Sequence, residues 1–304
     1  MGLLEAHASL AGKVAVIVGG SGGIGRAVTL ALAKAGIGIA TCDIDAEATR
    51  TIVPEVQKLD QKVLSVHADV CDAAALDRFY DRVEQEFDRL DIVVNLAGGV
   101  KRASFVETTR AQNAREIRRN FGYVIDSFRR AIPLIRQGGR GGSIINFTTI
   151  EAHRGAATFS VYAGAKAATT NFTRAMAVEL GADHIRVNAI APDTTPSRAV
   201  FEVIDPEIME KLSKLSEQTL AQTFNMYIPQ KRAPGEEDLA NAVLFLASDL
   251  SRTITGTTLH VDGGTMAASG FIDWPFGDGY MPAPMAETLR RLFRNIEETG
   301  ASGP

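Results

Sequence analysis

With 304 residues, 45% apolar and 22% charged, the chain can bury a large core and is too ordinary in composition for extended disorder. Its formal net charge of −4, with no basic run beyond pairs such as Arg118 and Arg119, argues against a nucleic-acid partner. Cys42 and Cys71 stand apart in no ligand spacing, so neither a disulfide framework nor a metal site is expected. No apolar run reaches membrane-spanning length, and Glu5 and His7 interrupt the first residues where a signal peptide needs continuity, so a cytoplasmic location away from the membrane is expected.

The first Val/Ile-rich run, Val14 to Val18, reads as a strand buried on both faces. It leads into Gly19-Gly20-Ser21-Gly22-Gly23-Ile24-Gly25, and a helix is predicted from Gly25 to Ala35. Strands follow at Ile37 to Cys42 and Val63 to Ala68, then a helix over Ala73 to Phe87 and a strand at Ile92 to Asn95. Helical spacing runs unbroken from Ala111 to Ile135, before a strand at Ser143 to Phe147, a helix from Tyr162 to Leu180 and a strand at Ile185 to Ile190. The stretch 192–233 leaves this rhythm; it holds a predicted helix over Pro206 to Gln222 and suits a lid over a cleft. A helix over Glu236 to Ala247 and a strand at Thr258 to Val261 complete the alternation. The tail from 267 to 304 gathers Phe271, Trp274, Phe276 and Tyr280 among Gly and Pro, with a short amphipathic helix around Ala286 to Ile296. So many aromatics are expected to cover their own subunit or a neighbouring one.

Alternating strands and helices demand parallel strands joined by right-handed crossovers, which gives a doubly wound α/β sheet of the Rossmann type with about seven strands and helices on both faces. One domain is expected over 1–266, with 267–304 as a C-terminal extension. The glycine turn sits between the first strand and the first helix, where backbone amides and the helix amino end cradle a pyrophosphate. Eighteen residues after Gly25, Asp43 ends the second strand, where a carboxylate accepts from the adenosine ribose hydroxyls and repels a 2′-phosphate. NAD is therefore expected over NADP; a helix cap is the other reading of Asp43, a role nearby Asp45 fills equally well. Tyr162 and Lys166 stand four apart at a helix start, so both project from one face, and an ammonium beside a phenol favours the phenolate.

Taken together these motifs resemble the short-chain dehydrogenase/reductase family over roughly Leu10 to Gly264. The resemblance assigns cofactor contacts to Gly19, Ser21, Gly23, Ile24 and Gly25, to Asp43 and Ile44, to Asp69 and Val70, and to Asn95, Ala97 and Gly98 of the Asn95-Leu96-Ala97-Gly98 run. It adds Tyr162, Lys166, Pro192, Thr195 and Ser197 to the same set. The family's Ser-Tyr-Lys group maps to Thr149, Tyr162 and Lys166, with Asn120 at its helix asparagine. What the resemblance implies is that Tyr162 exchanges a proton, Lys166 lowers its pKa and holds a ribose, Thr149 orients the substrate oxygen and Asn120 anchors a water relay. Departures are Val18, Leu96, Thr149 for Ser, Ser197 for Thr, and Asp193 for the Gly of a Pro-Gly turn, which Asp can occupy by adopting the left-handed conformation. Thr148 is expected to face away from the site.

The expected activity is an NAD-dependent interconversion of a secondary alcohol and a ketone. Apolar residues in the lid segment, Phe201, Val203, Ile204, Phe224, Met226 and Tyr227, suggest an apolar or cyclic, steroid-like small molecule. Two alternatives are an NAD-using epimerase or dehydratase, and a dinucleotide-sensing or scaffold protein without turnover. Small residues Ala163, Gly164, Ala165, Ala167 and Ala168 permit close helix approach, and the resemblance implies a homo-oligomer, a tetramer or a dimer.

Overall fold

The computed structural model describes residues 2–193, 195, 210, 214, 216, 224–274 and 279–282. The chain divides into two compact units, Met1–Val203 with Gly235–Val261, and Ile204–Pro234 with Asp262–Pro304.

The first unit opens on a short helix α1 (Leu3–Ala8) and then alternates β1 (Val14–Val18), α2 (Gly23–Lys34), β2 (Gly38–Asp43), α3 (Ala46–Gln57), β3 (Val63–His67), α4 (Ala73–Glu86) and β4 (Ile92–Asn95). It continues through α5 (Arg110–Ile117), a π-helical turn at Arg118–Gly122, α6 (Tyr123–Gly138), β5 (Gly142–Phe147), α7 (Ser160–Glu179), β6 (Ile185–Pro192), α8 (Glu236–Ala247) and β7 (Thr258–Val261). The seven strands form one sheet in the order β3-β2-β1-β4-β5-β6-β7, and every neighbouring pair is parallel.

Residue alternation in β1 shows why both faces need helices. Val14, Val16 and Val18 pack on one side with Phe79 and Tyr80 of α4, Phe128 and Ile135 of α6 and Ala177 of α7. Ala15 and Ile17 pack on the other with Val28 and Leu32 of α2, Ile52 and Val56 of α3 and Leu239 and Val243 of α8. Each fully buried large side chain of this kind stabilises the fold by roughly 1.5–3 kcal/mol, so the strands have little freedom to slip. Asp91 ties the sheet from below: its buried carboxylate accepts from Val14 N at 2.9 Å and from Arg89 Nε and Nη2 at 2.7 and 2.5 Å.

One sequence expectation changes here. The helix read as continuous over Ala111 to Ile135 is broken by the π-helical turn at Arg118–Gly122, because an apolar period carried through one wide turn looks unbroken in sequence. α3 is the crossover that the alternation calls for between β2 and β3, and Asp45 caps it by accepting from Glu47 N and Ala48 N at 2.9 and 3.0 Å.

The second unit contains a short helix α9 (Thr265–Ala268) and an antiparallel ribbon of β8 (Phe271–Trp274) and β9 (Gly279–Pro282). Lys231 pins the ribbon, pairing with Asp273 and lying 5.2 Å from the Tyr280 ring centroid. Phe271 and Tyr280 are half exposed in this chain. The helices expected over Pro206 to Gln222 and Ala286 to Ile296, and the side chains of Phe201, Val203, Ile204 and Phe276, lie outside the described residues.

Candidate active site

The strand order reverses between β1 and β4, and the loops leaving their carboxyl ends meet there. Leu96 N and Ala97 N both donate to Val18 O, at 3.0 and 2.7 Å. Gly19 has φ +87, and a Cβ on it would fall 2.7 Å from the Ala97 backbone, so only glycine lets the two loops approach. The turn then enters α2 at Gly23, Ile24 and Gly25, pointing the helix amino end outward.

This crevice fits a dinucleotide. Ser21 is fully buried, and among the described residues its Oγ has no hydrogen-bond partner; the same holds for Asn95 Oδ1. Buried polar atoms left open in this way are expected where a polar ligand completes the set. Asp43 accepts from Ser21 N through Oδ2 and from Asp45 N through Oδ1, both at 3.1 Å, which aims its carboxylate along the turn. Ile44, next to it, leaves 59% of its surface exposed, an apolar platform beside the carboxylate. Arg26, the first base beyond the turn, is committed to Glu55 and so does not offset the charge of Asp43. At the next strand end, Asp69 accepts from Cys71 N at 2.8 Å and pairs with Arg115 at 3.0 Å, with Val70 buried beside it.

The chemical groups lie further along the same edge of the sheet. Lys166, on α7, is 3% exposed and its Nζ donates to Phe147 O at 2.8 Å. Burial brings its pKa down to about 8, the Arg119 guanidinium acts in the same direction and Glu116 opposes it. Gly98 lets the loop after β4 close on this group: a Cβ there would lie 2.7 Å from Asn120 Oδ1 and 3.2 Å from Lys166 Nζ. Tyr162 is partly buried. Burial pushes its phenol up to about 12; a hydrogen bond with Thr149 lowers it, Glu151 and Glu116 raise it and Arg119 lowers it. In this structure the lowering influences on Tyr162 are therefore Thr149 and Arg119.

Thr149 is buried at the start of the loop after β5, and its Oγ1 donates to Glu151. Thr148 turns away and donates to Ile190 O at 3.2 Å. Asn120 stands in the π-helical turn, where its Nδ2 donates to Gly99 O and Glu116 O at 3.0 Å and its Oδ1 accepts from Gly99 N at 3.1 Å. Its amide is thus occupied by the fold itself. Asn95 Nδ2 donates to Asn146 Oδ1 and Asn146 Nδ2 to Thr173 Oγ1, both at 2.9 Å, which locks β4, β5 and α7 together behind the site.

After β6, Pro192 ends the strand and Thr195 is buried, its hydroxyl donating to Asp193 O at 3.2 Å. Asp193 keeps a negative φ, so the left-handed conformation open to Asp is not used here, and its carboxylate stands 4.0 Å from Arg154. Ser197 lies outside the described residues. Four charged residues were missed in sequence: Glu116, Arg119, Glu151 and Arg154. Their signal was position, since each stands within five residues of Asn120 or Thr149.

A parallel sheet with a glycine turn at its switch point, an acidic second strand end, and a Thr-Tyr-Lys set in the loop after β5 and on α7 define an oxidoreductase built around a dinucleotide. The chain belongs to the short-chain dehydrogenase/reductase family. The family model described as Enoyl-(Acyl carrier protein) reductase matches residues 19–266. The 7alpha-hydroxysteroid dehydrogenase of Escherichia coli is 31% identical over 84% of this chain and 94% of the relative. A solved structure of 7 alpha-hydroxysteroid dehydrogenase complexed with NADH and 7-oxo glycochenodeoxycholic acid superposes with a TM-score of 0.78 at 31% identity, over 87% of this chain and 98% of that one. Carveol dehydrogenase from Mycobacterium avium in complex with NAD gives a TM-score of 0.77 at 30% identity, over 84% and 98%. Among the described residues no helix is long and apolar enough to cross a membrane.

Proposed function

We propose that the protein interconverts a secondary alcohol and a ketone with NAD, on an apolar, cyclic, steroid-like small molecule. The observation that carries this reading is the burial of Lys166 on α7, four residues after Tyr162, with its Nζ donating to the carbonyl of Phe147 at the end of β5, next to the loop that holds the buried Thr149. Bound NAD supplies the hydride acceptor and, reduced, the hydride donor. Ser21 with the glycine turn would hold its pyrophosphate, Asp43 and Ile44 its adenosine ribose, Asp69 and Val70 its adenine. Asn95, Ala97 and Gly98 would back the nicotinamide half, with Pro192, Thr195 and Ser197 on its other side. Tyr162 holds the proton that the substrate oxygen gains in reduction and takes it up in oxidation. Lys166 would hold the nicotinamide ribose, while Thr149 and Arg119 are the influences that favour the phenolate form of Tyr162.

Substrate contacts are assigned to the segment 192–233 within the domain 1–266 and to the extension 267–304 that follows it; their apolar and aromatic composition supports this. The hydroxysteroid and carveol dehydrogenase names of the relatives support the cyclic substrate. The subunits associate as a tetramer or dimer in the cytoplasm, an assignment supported by Gly164, Ala175 and Val178, which α7 leaves exposed on its outer side.

The test is absorbance of reduced nicotinamide with a panel of hydroxysteroid, terpenoid and aryl alcohols, small polyols and an acetoacetyl thioester. Cyclic alcohols should turn over, and Tyr162→Phe should lose at least about 100-fold in kcat. Preference for polyols or the thioester would end the substrate assignment, tighter NADP than NAD would end the argument from Asp43, and a wild type inactive on every compound would end the reading as a whole.

A further inference from the structure

The loop that meets Lys166 contains two glycines in succession, Gly98 and Gly99, with φ +153 and +156. Such a pair has no stiffness of its own, so its path is set by the groups that grip it. Tyr123 Oη donates to Ala97 O at 2.7 Å and fixes the loop where it starts. Side chains from the end of α5 and the π-helical turn grip its far end. Gly99 O accepts from Arg119 Nη2 and from Asn120 Nδ2, both at 3.0 Å, and Gly99 N donates to Asn120 Oδ1 at 3.1 Å. Glu116 joins the two donors: one carboxylate oxygen accepts from Arg119 Nη2 at 2.6 Å and the other from Asn120 Nδ2 at 3.2 Å. Glu116 leaves 16% of its side chain exposed and Arg119 34%, so solvent screens the pair only in part. This clamp is seated on the helix of the catalytic lysine, since Thr169 Oγ1 on α7 donates to Asn120 O at 3.2 Å. Its charges are opposed as well: Arg119 pulls the Lys166 pKa down and Glu116 pulls it up, so each offsets part of the other at the buried ammonium.

We propose that Glu116 and Arg119 are positioning residues that hold the Gly98–Gly99 loop against Lys166 and thereby fix where the nicotinamide half of NAD sits. The proposal rests on the cofactor assignment in the alcohol–ketone reading above. A Cβ at Gly98 would fall 3.2 Å from Lys166 Nζ, so the loop and the lysine are packed to within the width of one carbon and small drifts of the loop reach the site. The groups assigned to the adenosine half are held otherwise. Asp43 accepts from Ser21 N and Asp45 N, and Asp69 from Cys71 N and Arg115, none of which belongs to the clamp. Loss of the clamp therefore acts on one half of the dinucleotide. A slack loop also slows hydride transfer when the site is saturated with NAD, because the reacting carbons are no longer held in register.

Arg119→Met removes one donor to Gly99 O and the partner of Glu116 while keeping an unbranched side chain. Calorimetric titration should give an NAD dissociation constant about tenfold above that of the wild type, the size of effect expected from lost charge-assisted bonds. ADP-ribose, which lacks the nicotinamide, should bind within about twofold of the wild type. At saturating NAD, kcat for the panel alcohol that the wild type oxidises fastest should fall at least about tenfold. Arg119→Lys, which keeps the charge and a donor, should recover part of both losses. Glu116→Gln has nearly the native size but one acceptor for two donors; it should weaken NAD selectively too, and it decides the question if Arg119→Met does not fold. An unchanged NAD constant, or equal weakening of NAD and ADP-ribose, overturns the proposal. If the wild type binds NAD but oxidises none of the panel, the alcohol–ketone chemistry fails, and the two dissociation constants still decide the clamp. A wild type that binds neither ligand overturns the cofactor assignment and this proposal together.

Discussion

Replacing Lys166 with Met should make the protein more stable at neutral pH and less stable in alkali. The side chain is 3% exposed, and burial is the largest cause of its drop from 10.5 to about 8. The fold therefore holds the lysine proton less tightly than the unfolded chain does. Between pH 8 and 10.5 the unfolded chain carries the proton and the folded one does not, so stability contributed at this site rises with pH. Below pH 8 the full penalty is present, and at about 1.4 kcal/mol per pH unit it amounts to roughly 3 kcal/mol. Met removes that penalty but also removes the bond from Nζ to Phe147 O at 2.8 Å, which contributes about 1–2 kcal/mol. The variant should gain about 1–2 kcal/mol at pH 7 and lose up to about 1 kcal/mol at pH 10, with the curves crossing near pH 9. Urea unfolding of both proteins at four pH values between 7 and 10 measures the difference directly. A difference that stays constant across that range refutes the account of Lys166 as a strained buried ammonium. The gain at pH 7 would come with loss of activity, the trade expected where a site is built at the expense of stability.

Asp91→Ala should cost about 2–4 kcal/mol in chemical denaturation, because it strands the buried Val14 N–H and the Arg89 guanidinium at once; Asp91→Asn, which keeps an acceptor, should recover part of it. Light scattering at micromolar concentration should give a dimer or tetramer, and a monomer would refute the association assigned to the outer face of α7.

β1 and β4 begin and end where their sequences suggest, since Val14 to Val18 and Ile92 to Val94 are apolar without interruption and fully buried; β7 does so too although it is only partly buried. α3 was called for as a crossover but given no bounds, since Pro54 falls inside it, although Thr49, Ile52 and Val56 keep one buried face. The β8–β9 ribbon was hidden by surrounding Gly and Pro, which signal turns without saying what they join. In the site, spacing alone could pair Tyr162 with Lys166 and place Asp43 at a strand end. It could not show that the Thr149 proton belongs to Glu151 or that the Asn120 amide belongs to Gly99, because those contacts depend on rotamers and loop paths fixed only by packing.

The π-helical turn at Arg118–Gly122 makes the number of residues between β4 and β5 part of the active site. Each residue in a helix advances the face by about 100°, and the wide turn absorbs one residue more than an α-helical path would hold. That surplus turns Asn120 towards Gly99, and the Thr169 hydroxyl on α7 donates to the Asn120 carbonyl at 3.2 Å. Shortening the chain there by one residue would leave both flanking helices intact as helices, yet swing the whole of α5 a quarter-turn around its axis, carrying Glu116 away from the catalytic lysine. A phase in the chain, and not only a set of side chains, is what the site inherits.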